Sequence, residues 1–332
     1  MNTRTLLKRS LGLFAGLLLA GSSLLSAPLK VAYSDWPGWT AFAIAEQKGW
    51  FKQAGVEVEL LWFEYGPSME AFSAGKVDAV MVTNGDSLVT GATGAKNVII
   101  LVTDYSNGND MIVAKPGLSK VADLKGKKIG VEVGFVDHLL LLNALKKAGL
   151  SEGDVTIVPT PTNQAPQVLA SGQVDAVAAW QPNSGAALKA LPGSSAVYTS
   201  ADEPGLIYDT VVVTPQSLAT RRDDWVKFVK VWDRIVAYLS DPLTQEDGIK
   251  IMAAKAGVDA KDYAAFMGGT RLLTLGQSAK IISAKNDSFG SIHGSSKAAD
   301  AFNVKNAVYK DAQDVDSYID ASLTADALKA GK

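Results

Sequence analysis

Six carboxylic acids, five aromatic rings and neither lysine nor arginine share five short segments of this chain. The segments are Ser34–Trp39, Thr83–Asp86, Asp104–Asp110, Glu132–His138 and Trp180–Asn183. The acids are Asp35, Asp86, Asp104, Asp110, Glu132 and Asp137, and the rings belong to Trp36, Trp39, Tyr105, Phe135 and Trp180. A site for sulfonate, nitrate or phosphate would present cations or free helix N-termini without competing carboxylates. Acids beside aromatic faces suit a small cation instead. The carboxylates accept its hydrogen bonds, and each ring adds roughly 0.5–2 kcal/mol of cation–π attraction. The competing role for Asp35, Asp86 and Asp137 is helix N-capping, because each precedes or opens a helical pattern. Asp110 reads as a loop or hinge residue.

The elements that must position these segments come from an internal repeat. Residues 71–88 (AFSAGKVDAVMVTNGDSL) and 168–185 (VLASGQVDAVAAWQPNSG) share a small-Gly-Lys/Gln-Val-Asp-Ala-Val core, with Gly75 answered by Gly172. Upstream, the strand-like stretch from Lys30 is answered by that from Lys128, and Lys52–Val56 by Lys146–Leu150. Each copy alternates strand and helix, which implies right-handed crossovers and an α/β lobe with a mostly parallel sheet flanked by helices. Strands are expected at 29–33, 56–63, 77–82 and 98–103, then at 128–133, 155–158 and 174–179. Two extended segments ending at Pro116 and Pro215 read as crossings between lobes, near 112–116 and 207–214, and so as a two-strand hinge. The expected organisation is lobe one from 28–113 plus 210–332 and lobe two from 114–209. Residues beyond 216 read as largely helical, with the aromatic stripe of Asp223–Leu239 marking a buried helix face rather than a ligand box. Ligands of open parallel sheets bind beyond the carboxyl ends of the strands, and the five segments all fall there.

Composition narrows the function classes. The chain has 332 residues, 47% hydrophobic and 20% charged, with a net charge of −2. Residues 1–27 read as an export signal, with Arg4, Lys8 and Arg9 ahead of an apolar run shorter than a membrane span. Taking those three from the 32 basic residues leaves 29 against 34 acidic, a balance of −5 that offers nothing to nucleic acid. There is no cysteine, which excludes disulfides, a thiol nucleophile and a lipid-anchored cysteine. Metalloprotease, phosphate-loop, nucleophile-elbow and dinucleotide motifs are missing. Of the two histidines, His138 reads as structural and His293 as solvated within Gly290–Ser296. The expectation is an exported, periplasmic, monomeric protein that is not an enzyme and needs no cofactor or metal.

The longer strings VAYSDWPGW (31–39), TNGDSLVTGATGA (83–95), DYSNGNDMIVAKPG (104–117) and VEVGFVDHLLLLNAL (131–145) resemble the nitrate/taurine/sulfonate class of ABC-importer binding proteins. That class is related to the pyrimidine-binding proteins named for thiamine-precursor synthesis. Within it, these strings look like the subgroup that accompanies urea carboxylase, with guanidine or urea as cargo. The resemblance implies a type II periplasmic-binding-protein fold, a small-molecule ligand and a permease partner in the inner membrane. It departs from anion-binding members at Gly134–Asp137, where a Ser/Thr-rich loop is usual. The resemblance and the acid-rich segments agree on a guanidinium-like cation, whose N–H groups match carboxylates in a fork. The alternatives are urea, an aminopyrimidine, or a sulfonate or nitrate, and, of a different class, a cofactor-independent enzyme or a sensory adaptor. In the cation arrangement Asp86 and Asp104 hold one edge of the ligand and Glu132 or Asp137 the other. Trp36 and Trp180 lie against its faces, and Asp35 and Phe135 complete the lining.

Overall fold

A computed structural model describes residues 27–329. The expected export signal therefore lies, apart from Ala27, outside the described residues. The first sheet holds β1 (Leu29–Tyr33), β2 (Val58–Trp62), β3 (Ala79–Thr83), β4 (Val98–Ser106), β10 (Tyr208–Val213) and β11 (Thr270–Leu272). The second holds β5 (Met111–Ala114), β6 (Lys128–Val131), β7 (Thr156–Pro159), β8 (Ala176–Ala179) and β9 (Ser195–Thr199). Their orders are β11-β4-β10-β3-β1-β2 and β7-β6-β8-β5-β9. Both sheets are flanked by helices, as expected.

The repeat is visible in the topology. β1 lies between β2 and β3, parallel to both, as β6 lies between β7 and β8. In each sheet the strand that arrives from the other lobe runs antiparallel to its neighbours: β10 beside β3 and β4, β5 beside β8 and β9. The repeated Val-Asp-Ala-Val has a physical role in this frame. Asp78 accepts a hydrogen bond from the Lys30 amide, and Asp175 accepts one from the Lys128 amide, both at 2.9 Å. Each aspartate thus fastens the third strand of its lobe to the start of the first. Gly75 and Gly172 follow their helices with φ of 66° and 75°, a left-handed conformation that favours glycine.

Several expectations shift. The chain crosses between sheets at 107–110 and 200–207, not at 112–116 and 207–214. The latter residues are strands β5 and β10 inside their sheets. The expected lobe boundaries at 113/114 and 209/210 consequently fall within those strands. β4 extends to Ser106, so Asp104 and Tyr105 are strand residues. Helix Asn84–Ala92 begins where a loop was expected. Helix Asn183–Ala190 and strand β9 were not among the expected elements, and β11 interrupts the stretch beyond 216 that reads as largely helical. His293 is buried rather than solvated, in helix Ile292–Lys305, with Nδ1 2.7 Å from Asp316. Helix Arg222–Ser240 does bury its aromatic stripe, stacking Phe228 on Phe42 and Phe51 at 5.1 and 5.5 Å.

Two connections between lobes make a hinge, and the lobes here are drawn together. Trp180 of lobe two packs among Trp36, Trp39 and Tyr65 of lobe one. The expected behaviour in solution is opening without ligand and closure with it. Small-angle scattering should record a smaller radius of gyration at saturating ligand, and an unchanged envelope would contradict the hinge.

Candidate functional site

Local sequence explains how the cleft is framed. After β1, Pro37 occupies the first turn of helix Pro37–Thr40, where its fixed φ and missing N–H cost nothing. That turn leaves Trp36 and Trp39 buried at the strand end. After β3, the Thr83 side chain caps helix Asn84–Ala92 by accepting from the Asp86 amide at 3.2 Å. After β6, Gly134 takes φ 87°, and helix Val136–Lys147 starts without a side-chain cap. None of the three suspected caps is one. Asp35 precedes the first helix and accepts from Trp62 Nε1 at 2.6 Å, and Asp137 makes no cap bond. Asp86 lies in the first turn of a helix that Thr83 caps, leaving its carboxylate free for other work.

That carboxylate reaches across the cleft. Asp86 Oδ2 accepts from Tyr65 Oη at 2.6 Å and from the Val136 amide of lobe two at 3.3 Å. Asp104 Oδ1 accepts from Trp36 Nε1 at 2.9 Å, and its Oδ2 from Thr103 at 2.8 Å. Asp110, Asp137 and Asp209 complete a buried group, each at most 2% exposed. Both oxygens of Asp137 and one each of Asp110 and Asp209 have no hydrogen-bond partner among the described residues. No ion pair among the described residues involves any of the five. Burial therefore dominates their titration, because a charged form without a cation is costly in a low dielectric. It pushes Asp86 and Asp110 up to about 7 and Asp104 up to about 6. Asp137 and Asp209 are raised well above the usual carboxylate range, first by burial and then by their acidic neighbours.

Aromatic rings form a layer over this group. Trp39 stacks on Tyr65 at 5.6 Å, and Trp180 meets Tyr65 edge-on at 5.9 Å. Phe135 packs against Tyr65 at 6.0 Å. Outside the layer lies an interlobe pocket of about 270 Å³, lined by Ser34, Asp35, Glu64 and Tyr65 of lobe one and by Glu132 and Trp180 of lobe two, among others. Its lining contains no Lys or Arg. Burial raises Asp35 and Glu132 above their ordinary values.

The structure thus splits the eight sequence-derived residues. Asp86, Asp104 and Asp137 join the inner group, with Trp36, Trp180 and Phe135 in the aromatic layer. Asp35 and Glu132 belong to the outer pocket. Glu132 hydrogen-bonds Thr162 at 3.0 Å, yet it still raises Asp86 and Asp137 electrostatically. Asp110 is not a bare hinge residue but a buried member of the group. Tyr105 stands apart, packed on Tyr208. His138 is structural, accepting from the Gly134 amide at 3.2 Å and packing on Phe302. Sequence reasoning missed Tyr65, Glu64 and Asp209. An acid opening the apolar run Tyr208–Val213 was the available signal for Asp209.

Gly38 holds the layer against the acids. A Cβ there would stand 1.8 Å from Asp104 Oδ2. Gly38→Ala should cost about 1–3 kcal/mol, as overpacking does, and should loosen the Trp36–Asp104 bond. Denaturant unfolding will measure it, and an unshifted midpoint would contradict this packing.

Two α/β lobes closing on a cleft at their strand ends define the periplasmic-binding-protein fold. The NMT1/THI5-like family model matches residues 36–244, more than half of the chain, and the chain belongs to that family. A Brucella abortus protein provisionally assigned as a binding protein is 32% identical over 206 residues, covering 61% of this chain and 62% of that one. The chain thus matches less than two thirds of that relative's length. The taurine-binding periplasmic protein of Escherichia coli is 28% identical over 260 residues, covering 74% of this chain and 75% of its own. The crystal structure of the periplasmic aliphatic sulphonate binding protein from Escherichia coli superposes with a TM-score of 0.74 at 20% identity. It covers 90% of this chain and 99% of that one. Among the described residues no helix is long and apolar enough to cross a membrane.

Proposed function

We propose that this protein is the periplasmic solute-binding component of an ABC importer and that it captures a small guanidinium-like cation, guanidine itself in the simplest case, between its lobes. The observation that carries this is the set of buried carboxylates from both lobes, with four oxygens unpartnered. A planar cation with several N–H donors would meet those oxygens and neutralise the charge that burial penalises. Asp86, Asp104, Asp110 and Asp209 would hold it from lobe one and its crossover segment, and Asp137 from lobe two. Trp36, Trp39 and Trp180 would face the cation, and Phe135 would close the layer. Delivery to an inner-membrane permease is the family's role carried over by analogy, and action as a monomer is part of the same proposal.

A second reading is favoured by the relatives' names, which point to taurine and aliphatic sulfonates. The amide end of helix Val136–Lys147 is where an anion would be received. In this chain Asp86 already takes its first N–H, which weighs against that reading. Calorimetric titration with guanidinium, urea, an aminopyrimidine, taurine and nitrate separates them. Guanidinium should bind at least about tenfold tighter than urea, equivalent to ~1.4 kcal/mol. Binding of taurine or nitrate without guanidinium would sink the cation reading.

A further inference from the structure

The outer pocket is not needed to hold a guanidinium ion at the inner carboxylates, yet it repeats their chemistry. Its volume of about 270 Å³ compares with ~30 Å³ for one water. Asp35, Glu64 and Glu132 supply three carboxylates from the two lobes, and no Lys or Arg lines it. Ser34 also lines it, only 2% exposed, and its hydroxyl has no hydrogen-bond partner among the described residues. A buried polar group left unpaired costs free energy unless something fills the pocket and bonds it. Glu132 links the two sets of acids, acting electrostatically on Asp86 and Asp137 and feeling Glu64. Tyr65 links them physically, since it lines the pocket and donates its hydroxyl to Asp86.

We propose that the outer pocket is a second cation subsite, so that the cleft is built for ligands with two positive ends. A guanidinium head sits at the inner carboxylates, and an ammonium group sits among Ser34, Asp35, Glu64 and Glu132. The substrate class is the short aminoalkylguanidines. This rests on the cation reading above and extends it, because it assigns the pocket that the reading leaves unused. Tyr65 and Trp180 line the pocket and meet edge-on at 5.9 Å, so the lobes must part for the connecting chain to pass between the two subsites. That position suits a methylene linker, which gains from apolar contact and carries no charge.

The test is calorimetry with three probes: guanidinium, butylguanidine and 4-aminobutylguanidine. The last two differ only by the terminal ammonium. 4-Aminobutylguanidine should bind at least roughly tenfold tighter than butylguanidine. Glu64→Gln, at an exposed position on the pocket rim, should weaken 4-aminobutylguanidine at least about threefold and leave guanidinium alone. Equal affinities for the two alkylguanidines, with guanidinium still binding, would overturn the second subsite and spare the first. If no guanidinium compound bound while taurine did, the cation reading would fall and this inference with it.

Discussion

Replacing Asp137 by leucine is expected to stabilise the ligand-free protein while weakening its binding of guanidinium. Asp137 is 1% exposed, and neither of its oxygens has a hydrogen-bond partner among the described residues. An unpaired buried polar group costs roughly 1–3 kcal/mol, and an apolar side chain of similar branching removes that cost. Leu139, Leu140 and Leu141 show that the surrounding helix already packs leucines. Unfolding of the ligand-free variant should therefore require more denaturant than the parent. A charged hydrogen bond to a cation contributes roughly 1.5–3 kcal/mol, so guanidinium should bind ten- to a hundredfold more weakly. Asp137→Asn, which keeps one acceptor, should fall between the two. A carboxylate retained for folding would behave oppositely, losing stability on replacement. Lower stability with unchanged affinity would remove Asp137 from the site.

Acidification should strengthen the empty protein and weaken its hold on a cation. Burial holds Asp86 and Asp110 at about 7 and Asp104 at about 6, whereas an unfolded aspartate titrates near ~3.9. Between those values the folded chain binds more protons than the unfolded one, so stability falls as pH rises. The contribution is fully present below about pH 4 and lost by about pH 7–8. Its size is on the order of a few kcal/mol, limited by whatever relief the lobes gain by opening. A bound guanidinium keeps its charge throughout this window and requires the acids ionised. Its affinity should therefore climb with pH, by up to about tenfold per unit for each proton displaced. Denaturant melts without ligand and calorimetry with it, from pH 5 to 8, will read the two opposite slopes. Stability rising with pH, or a flat affinity, would contradict the cluster's electrostatics.

Much of the fold was legible because the repeat is written in side chains with fixed jobs. Asp78 and Asp175 tie strands together, and Gly75 and Gly172 end helices, so their recurrence announced two equivalent lobes. The crossings were misplaced because Met111–Ala114 and Tyr208–Val213 are apolar and end before prolines. Those features mark a strand's end as readily as a hinge, and only pairing decides between them. In the site, the loops that carry the acids were legible from the strand-end rule. Their grouping was not. Asp86 and Asp137 looked like caps because capping depends on local spacing, while their actual surroundings come from the opposite lobe or from strands distant in sequence. Asp209 showed only as an acid in an apolar run, because it meets Asp104 through the β10–β4 pairing. Tyr65 opens helix Tyr65–Ser73 and Glu64 precedes it, outside the five segments at the strand ends, so neither was a candidate.

The most direct test of a cation held between carboxylates of both lobes is a crystal structure of the protein with guanidinium hydrochloride and taurine offered together. Guanidinium should appear as a flat, three-armed density beneath the Trp36–Trp39–Trp180 layer, within hydrogen-bonding distance of Asp86 from one lobe and Asp137 from the other. Taurine seated there, or guanidinium bound away from both carboxylates, would contradict it.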